Sequence, residues 1–125
     1  MKKQNVLVIG AGVAGMEASL LLANTGLKVY LVEKEALIGG QTIKFEEVYP
    51  NMECATCMLA PKQQEVLQKE NIELFLLSEV EKIEGSAGGF KVKIKKKARY
   101  VSLVNCIGCA ACYEPCPVSL DNEFE

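Results

Sequence analysis

Four apolar residues, Val6-Leu7-Val8-Ile9, run straight into Gly10-Ala11-Gly12-Val13-Ala14-Gly15. Nothing else in these 125 residues restricts the fold as tightly. The unbroken, β-branched run reads as a strand buried on both faces. A helical pattern follows through Met16, Leu20, Leu21 and Ala23, and Gly26 is placed to stop it. Residues 28–33, KVYLVE, read as a second strand. A lone G-x-G-x-x-G is a weak signal. Here it follows a strand, opens a helix and precedes an acid, Glu33, 18 residues after Gly15. That is the βαβ context in which such a loop binds a dinucleotide.

Each residue then has a physical task. Gly10 permits a tight turn, Gly12 removes a side chain where a pyrophosphate must approach, and Gly15 lets helix and strand pack closely. The helix N-terminus, through the backbone of Val13 and Ala14, offers N–H donors and a positive dipole end to phosphate. Glu33 is placed to accept hydrogen bonds from ribose hydroxyls, with Lys34 beside it. The competing reading is that the glycines serve packing alone and Glu33 is a solvated strand end.

After Glu33 comes Ala36-Leu37-Ile38-Gly39-Gly40-Gln41. Here the chain resembles the two-dinucleotide-binding flavoproteins, which include glutathione and thioredoxin reductases. In them an acid at the end of the second strand and a Gly-Gly a few residues on embrace FAD. The resemblance implies FAD rather than NAD, held by Gly10, Gly12, Val13, Ala14, Gly15, Glu33, Lys34, Gly39, Gly40 and Gln41. An ordinary turn is the bland alternative for Gly39-Gly40.

The C-terminal region reads CIGCAACYEPCP, with Cys106, Cys109, Cys112 and Cys116 followed by Pro117. This is the C-x₂-C-x₂-C-x₃-C-P run of bacterial ferredoxins. A [4Fe–4S] cube needs four inward thiolates, and Gly108, Ala110 and Ala111 are small enough for backbone N–H groups to reach its sulfurs. Zinc sites space their cysteine pairs further apart, and a disulfide within so short a loop is sterically poor. In two-cluster ferredoxins the fourth Cys serves the other cluster. By that logic the motif supplies three ligands to one cluster and lends Cys116 to another. Otherwise Cys116 closes a single cluster, or Cys54 or Cys57 folds over to do so. The favoured expectation is a fragment, or one half of a split subunit completed by a second chain.

Cys54 and Cys57 precede Pro61-Lys62. Pro61 suits the first turn of a helix, and residues 63–70 continue it with Val66 and Leu67 inward. The cysteines then lie at or just before a helix N-terminus, where a thiolate is favoured. Three roles remain open for them: a redox pair or cluster ligands facing a flavin, buried structural cysteines, or a zinc half-site. Residues 45–53 read as loop.

Residues 71–77 read as a third strand. Residues 80–84 and 90–96 form a hairpin around Gly-Ser-Ala-Gly-Gly, and residues 100–105 add a strand leading into the cysteine loop. In KVKIKKK, Val92 and Ile94 alternate with lysines, which reads as one wet sheet face. The sharper reading is a basic patch for an acidic electron-transfer partner. The expected architecture is α/β: a Rossmann-like FAD-binding βαβ, a three-stranded β meander and a C-terminal ferredoxin-type cluster loop. Residues 1–100 form an incomplete FAD-binding domain and residues 101–125 a ferredoxin-like 4Fe-4S segment.

Net charge is −2, with no basic block interleaved with aromatics, so nucleic acid is not an expected partner. No apolar stretch approaches membrane-spanning length. The start resembles a signal peptide only superficially, because glycines end its apolar run at Ile9. Six cysteines in such a chain suggest metal or redox work rather than a secreted disulfide scaffold. With no His, proton handling falls to flavin, water, Lys or carboxylates.

Taken in order, the parts resemble the A subunit of heterodisulfide reductase: nucleotide βαβ, Gly-Gly, CATCMLAPK, SEVEKIEG, GGFKVKIKKKARYV, the cysteine motif and NEFE. The resemblance implies FAD, iron–sulfur clusters fed by it, other redox subunits, and a ferredoxin or hydrogenase-type electron partner in a cytoplasmic complex. The family's subunit is several times longer, its ferredoxin segment being inserted into the flavin domain. The alternative from another class is a non-catalytic iron–sulfur subunit or assembly partner whose βαβ unit is structural and empty.

Overall fold

The computed structural model describes residues 5–119; the opening MKKQ and the closing LDNEFE, with its NEFE motif, lie outside the described residues. Strand β1 (Asn5–Ile9), helix α1 (Val13–Asn24) and strand β2 (Lys28–Val32) make the expected βαβ unit. Strand β5 (Ile72–Phe75) joins them in a parallel sheet of order β1-β2-β5. Val8 pairs with Leu31, and Leu31 with Leu74.

Two helices cover one face of this sheet. Helix α2 (Ala55–Gln68) packs on α1. Met16, Leu20 and Ala23 of α1 meet Val29 and Leu31 of β2, Leu59 and Val66 of α2, and Ile72 of β5 in one core. Burying apolar area of this kind supplies most of the folding free energy, at roughly 25 cal/mol per Å². Gly26, in the left-handed region at φ +86°, ends α1, and its N–H donates to the Ala23 carbonyl. Asn71 ties the joint below: its Nδ2 donates to Ala23 O at 2.7 Å and to Leu27 O at 2.9 Å.

Several expectations need correction. β1 is only half-buried, with Ile9 60% exposed, because it lies at the sheet edge rather than between two covered faces. Helix α2 begins at Ala55, so Pro61 sits in its interior rather than its first turn. Leu67 points outward while Val66 is buried. The loop over residues 45–53 contains a small hairpin, β3 (Glu47–Val48) with β4 (Glu53–Cys54).

The second hairpin forms as expected, from β6 (Ser78–Glu84) and β7 (Lys91–Lys96). The strand expected over residues 100–105 does not form. That stretch is bend and turn, with Tyr100 95% and Val104 92% exposed, so its apolar residues have no surface to pack on.

Candidate functional site

The backbone builds the site before any side chain does. Gly10, at φ +95°, turns the chain off β1, and its N–H donates to the Val32 carbonyl at 2.7 Å. The chain then enters α1 at Gly12, which caps the helix without a side-chain hydrogen bond. Val13 and Ala14 are exposed at that end. The first N–H groups of a helix lack intrahelical partners, so this end suits an anion.

A second glycine segment is folded onto the first. Gly39 N–H donates to Ala11 O at 2.7 Å, and Gly12 and Gly39 form a parallel bridge. A methyl on Gly40 would stand 3.0 Å from the Gly12 Cα, so the two backbones touch with no room for a side chain on Gly40. Gln63 of α2 holds the second segment in place, its Nε2 donating to Ile38 O at 2.6 Å. Gly15 serves packing: a Cβ there would be driven into the Gly10 carbonyl, 3.0 Å from its carbon.

Glu33, at the end of β2, is buried. Its Oε2 accepts the Ala11 N–H at 2.6 Å and its Oε1 the Glu35 N–H at 3.0 Å. The carboxylate is therefore already tied to the glycine turn. Each oxygen keeps a second lone pair for an incoming hydroxyl.

Beside these groups runs an open groove of about 680 Å³. Gly10, Glu33, Lys34, Gly40 and Gln41 line it, as do Glu35 and Lys44. Ser78, Glu79 and Val80 of β6 also line it and were not anticipated. They arrive because β6 is stitched to the end of β2, with Ser78 N–H donating to Glu33 O at 2.8 Å. Glu79 also faces the hairpin lysines. The hydrogen bond from Lys97, then the charges of Lys97, Lys95 and Lys34, hold its carboxyl below the ordinary value of 4.5.

The lysines of the hairpin are partly paired. Lys93 of β7 meets Glu81 at 2.7 Å, and Lys97, just past β7, meets Glu79 at 2.6 Å, so β6 answers part of the positive charge.

The six cysteines fall into two groups. Cys54 and Cys57 are joined as a disulfide at the start of α2, with both residues exposed. That exposure overturns the reading of buried structural cysteines. Cys106, Cys109, Cys112 and Cys116 are free and exposed on a loop of short turns, with Gly108 at φ +68° and Ala110 at φ +64°. Among the described residues, no three metal-binding side chains are gathered together. The thiols are of the right type and spacing for a cluster, but their arrangement is not a cage.

The surroundings of Gly12 do fit a dinucleotide. They combine a side-chain-free backbone contact, an uncapped helix start, and a buried acid beside an open groove. No described helix is long and apolar enough to cross a membrane.

Comparison with known proteins agrees with this geometry. The profile of a family described as FAD dependent oxidoreductase matches residues 5–99. The A-type subunit of the H(2):CoB-CoM heterodisulfide,ferredoxin reductase of Methanothermobacter marburgensis is 45% identical over 119 residues, covering 95% of this chain and 18% of that protein. The A-type iron-sulfur subunit of the CoB–CoM heterodisulfide reductase of Methanocaldococcus jannaschii is 45% identical over 122 residues, covering 98% of this chain and 19% of that protein. The chain thus spans less than a fifth of the length of these relatives. Among solved structures, thioredoxin reductase of Lactococcus lactis superposes with a TM-score of 0.60 at 30% identity, over 76% of this chain and 32% of that one.

Proposed function

Because the chain belongs to the FAD-dependent oxidoreductase family, we propose that it is an electron-transfer component of a heterodisulfide-reductase-like complex, passing electrons between FAD and one or more [4Fe–4S] clusters. The observation that carries the flavin half is the contact of Gly12 with Gly39 and Gly40, together with buried Glu33, which with Gly10 and Gly40 lines the groove. Bound flavin supplies the exchange of an electron pair with single electrons.

The chain's own residues bind and orient. The α1 N-terminus meets the pyrophosphate, and Gly12 and Gly40 leave it room. Glu33 accepts from a ribose while holding the turn, and Gln63 keeps the second glycine segment closed on the first. The cluster half rests on the pattern of Cys106, Cys109, Cys112 and Cys116 and on the iron-sulfur name of the relative from Methanocaldococcus jannaschii. In this reading residues 1–100 belong to the flavin domain and 101–125 to the cluster segment. A second chain or further sequence completes both sites. Other subunits and a ferredoxin or hydrogenase-type donor exchange electrons with it in the cytoplasm, and a ferredoxin appears in the name of the Methanothermobacter relative.

One observation favours a second reading, a structural βαβ in a non-catalytic iron–sulfur subunit: both carboxylate oxygens of Glu33 are already engaged by backbone N–H groups. Anaerobically prepared protein decides between them. Saturable FAD binding, seen as quenched flavin fluorescence and lost in Gly12→Val, supports the first. Iron and sulfide bound without flavin supports the second. Absence of both refutes the proposal. Where both bind, cluster reduction after photoreduction of the flavin, read by electron paramagnetic resonance, tests the transfer.

A further inference from the structure

The end of the β6–β7 hairpin carries a surface that the flavin reading does not use. We propose that the open groove formed there by lysines, Arg99 and Tyr100 is a docking site for a short, extended, acidic segment of a protein partner. The groove measures about 790 Å³, and Lys95, Lys96, Lys97, Arg99, Tyr100 and Val101 line it. All six residues are exposed.

Charge is the first argument for this occupant. Lys95, Lys96, Lys97 and Arg99 crowd four cations into one short stretch of a chain whose net charge is −2. Lys97 is answered by Glu79 at 2.6 Å. Among the described residues, Lys95, Lys96 and Arg99 have no carboxylate within ion-pair distance. Like charges held this close repel one another, and a carboxylate-bearing partner relieves that repulsion.

The donors are also of the right shape. Arg99 reaches the Ala36 carbonyl only at 3.5 Å. Most of its planar fork is thus left for a carboxylate, which it can hold through two parallel bonds. Tyr100, 95% exposed, and Val101, 53% exposed, add apolar contact directly after Arg99. A segment with an apolar residue after its acids matches that order. A nucleic acid would instead call for a longer basic surface with several stacking aromatics.

The scaffold beneath is firm. Lys97 N–H donates to Leu77 O at 2.7 Å, and Leu77 N–H donates to Glu35 O at 3.0 Å. The end of the hairpin is thereby fixed to the loop after β2, which lowers the ordering cost of docking. Position gives the docking a purpose, and here the inference rests on the proposed electron-transfer function. Val101 leads into Ser102, whose carbonyl accepts the Cys106 N–H at 3.1 Å. A partner seated on the groove is therefore next, along the chain, to the first cysteine of the ferredoxin-type motif.

The probe is a fluorescein-labelled peptide, Glu-Glu-Ala-Glu-Glu-Leu, titrated with the full chain and followed by fluorescence anisotropy. Saturable binding at low salt is expected, weakening roughly tenfold as salt rises to the physiological range. Replacing Lys96 and Arg99 together by Ser should weaken it about tenfold at low salt. Tyr100→Ser should weaken it about threefold at every salt concentration. Lys82→Ser removes a lysine that pairs with Glu84 and does not line the groove, and should leave binding unchanged. Absence of binding, an equal loss in Lys82→Ser, or equal affinity for an oligothymidylate of the same charge overturns the proposal. Flavin binding is read separately on the same samples. Protein that binds flavin but not the peptide refutes the docking site alone, whereas peptide binding without flavin upholds the site and refutes the flavin reading.

Discussion

Replacing Glu33 by Ala should destabilise the protein even when no nucleotide is present. The carboxylate is buried, and it accepts the N–H of Ala11, a residue with no solvent exposure, at 2.6 Å. In Glu33→Ala that N–H loses its acceptor inside the protein. An orphaned buried donor costs about 1–3 kcal/mol, and a bond to a charged acceptor lies toward the upper part of that range. The second bond, to Glu35 N–H, is more exposed and adds less. A loss of about 2 kcal/mol follows, against a total stability of roughly 5–15 kcal/mol for a domain. At about 4 °C per kcal/mol for a chain of this size, the midpoint of thermal unfolding should fall by about 8 °C. Glu33→Gln keeps one acceptor oxygen and should lose about half as much. Urea and thermal melts of cofactor-free protein, followed by circular dichroism, measure both. If Glu33→Ala melts within about 2 °C of the parent, the carboxylate is not holding the glycine turn and serves ligand alone.

Four further outcomes follow from the same contacts. Gly15→Ala forces a methyl onto the Gly10 carbonyl backbone and should cost about 3 kcal/mol or more, seen as a sharp loss of soluble folded protein. Gly12→Ala meets only Gly40 Cα at 4.0 Å, so it should fold normally, yet under the proposed flavin reading bind FAD at least about tenfold more weakly, since a side chain there would crowd an approaching pyrophosphate. Asn71→Ala removes both bonds joining the end of α1 to the start of β2 and should cost about 2 kcal/mol in urea melts. Glu79, held below 4.5 first by the Lys97 hydrogen bond, favours the folded state above its ordinary value, and that contribution disappears as pH falls through the lowered one. A carboxyl titration by nuclear magnetic resonance should show Lys97→Met returning it toward 4.5.

How much of this was legible in the chain differs from element to element. Strands β1 and β2 and the intervening helix were readable because their apolar periodicity and their glycines serve one purpose, closing a βαβ turn. The burial of β1 was overestimated because an apolar run does not reveal its position at a sheet edge. Residues 100–105 looked like a strand for their apolar and β-branched content, yet β-propensity acts only through packing partners, and Tyr100 and Val104 have none. Cys54 caps α2, in keeping with the expected place of the cysteines at or just before a helix N-terminus, but Pro61, suited by its missing N–H to a first turn, lies inside the helix. Ser78, Glu79 and Val80 carry no signature of a binding groove. They reach it through a backbone bond between Ser78 and Glu33, a tertiary pairing invisible in local sequence. The double engagement of Glu33 was hidden for the same reason.

The charged ribbon of β6 and β7 governs how the protein meets copies of itself. A two-stranded sheet ends in open backbone edges, which invite edge-to-edge growth into aggregates. Here β7 places Lys91, Lys93, Lys95 and Lys96 within a six-residue strand. A second copy laid against that edge in register would stack lysine on lysine, a repulsive pairing. Only Lys93 of these four is answered by an ion pair, from Glu81 of the same hairpin, so a duplicated ribbon would add repulsion to charge that is already largely unpaired. The half-buried stripe of Val80, Val92 and Ile94 is thereby kept from seeding fibrils. The same lysines that suggest a welcome for an acidic stranger act as a guard against self-association.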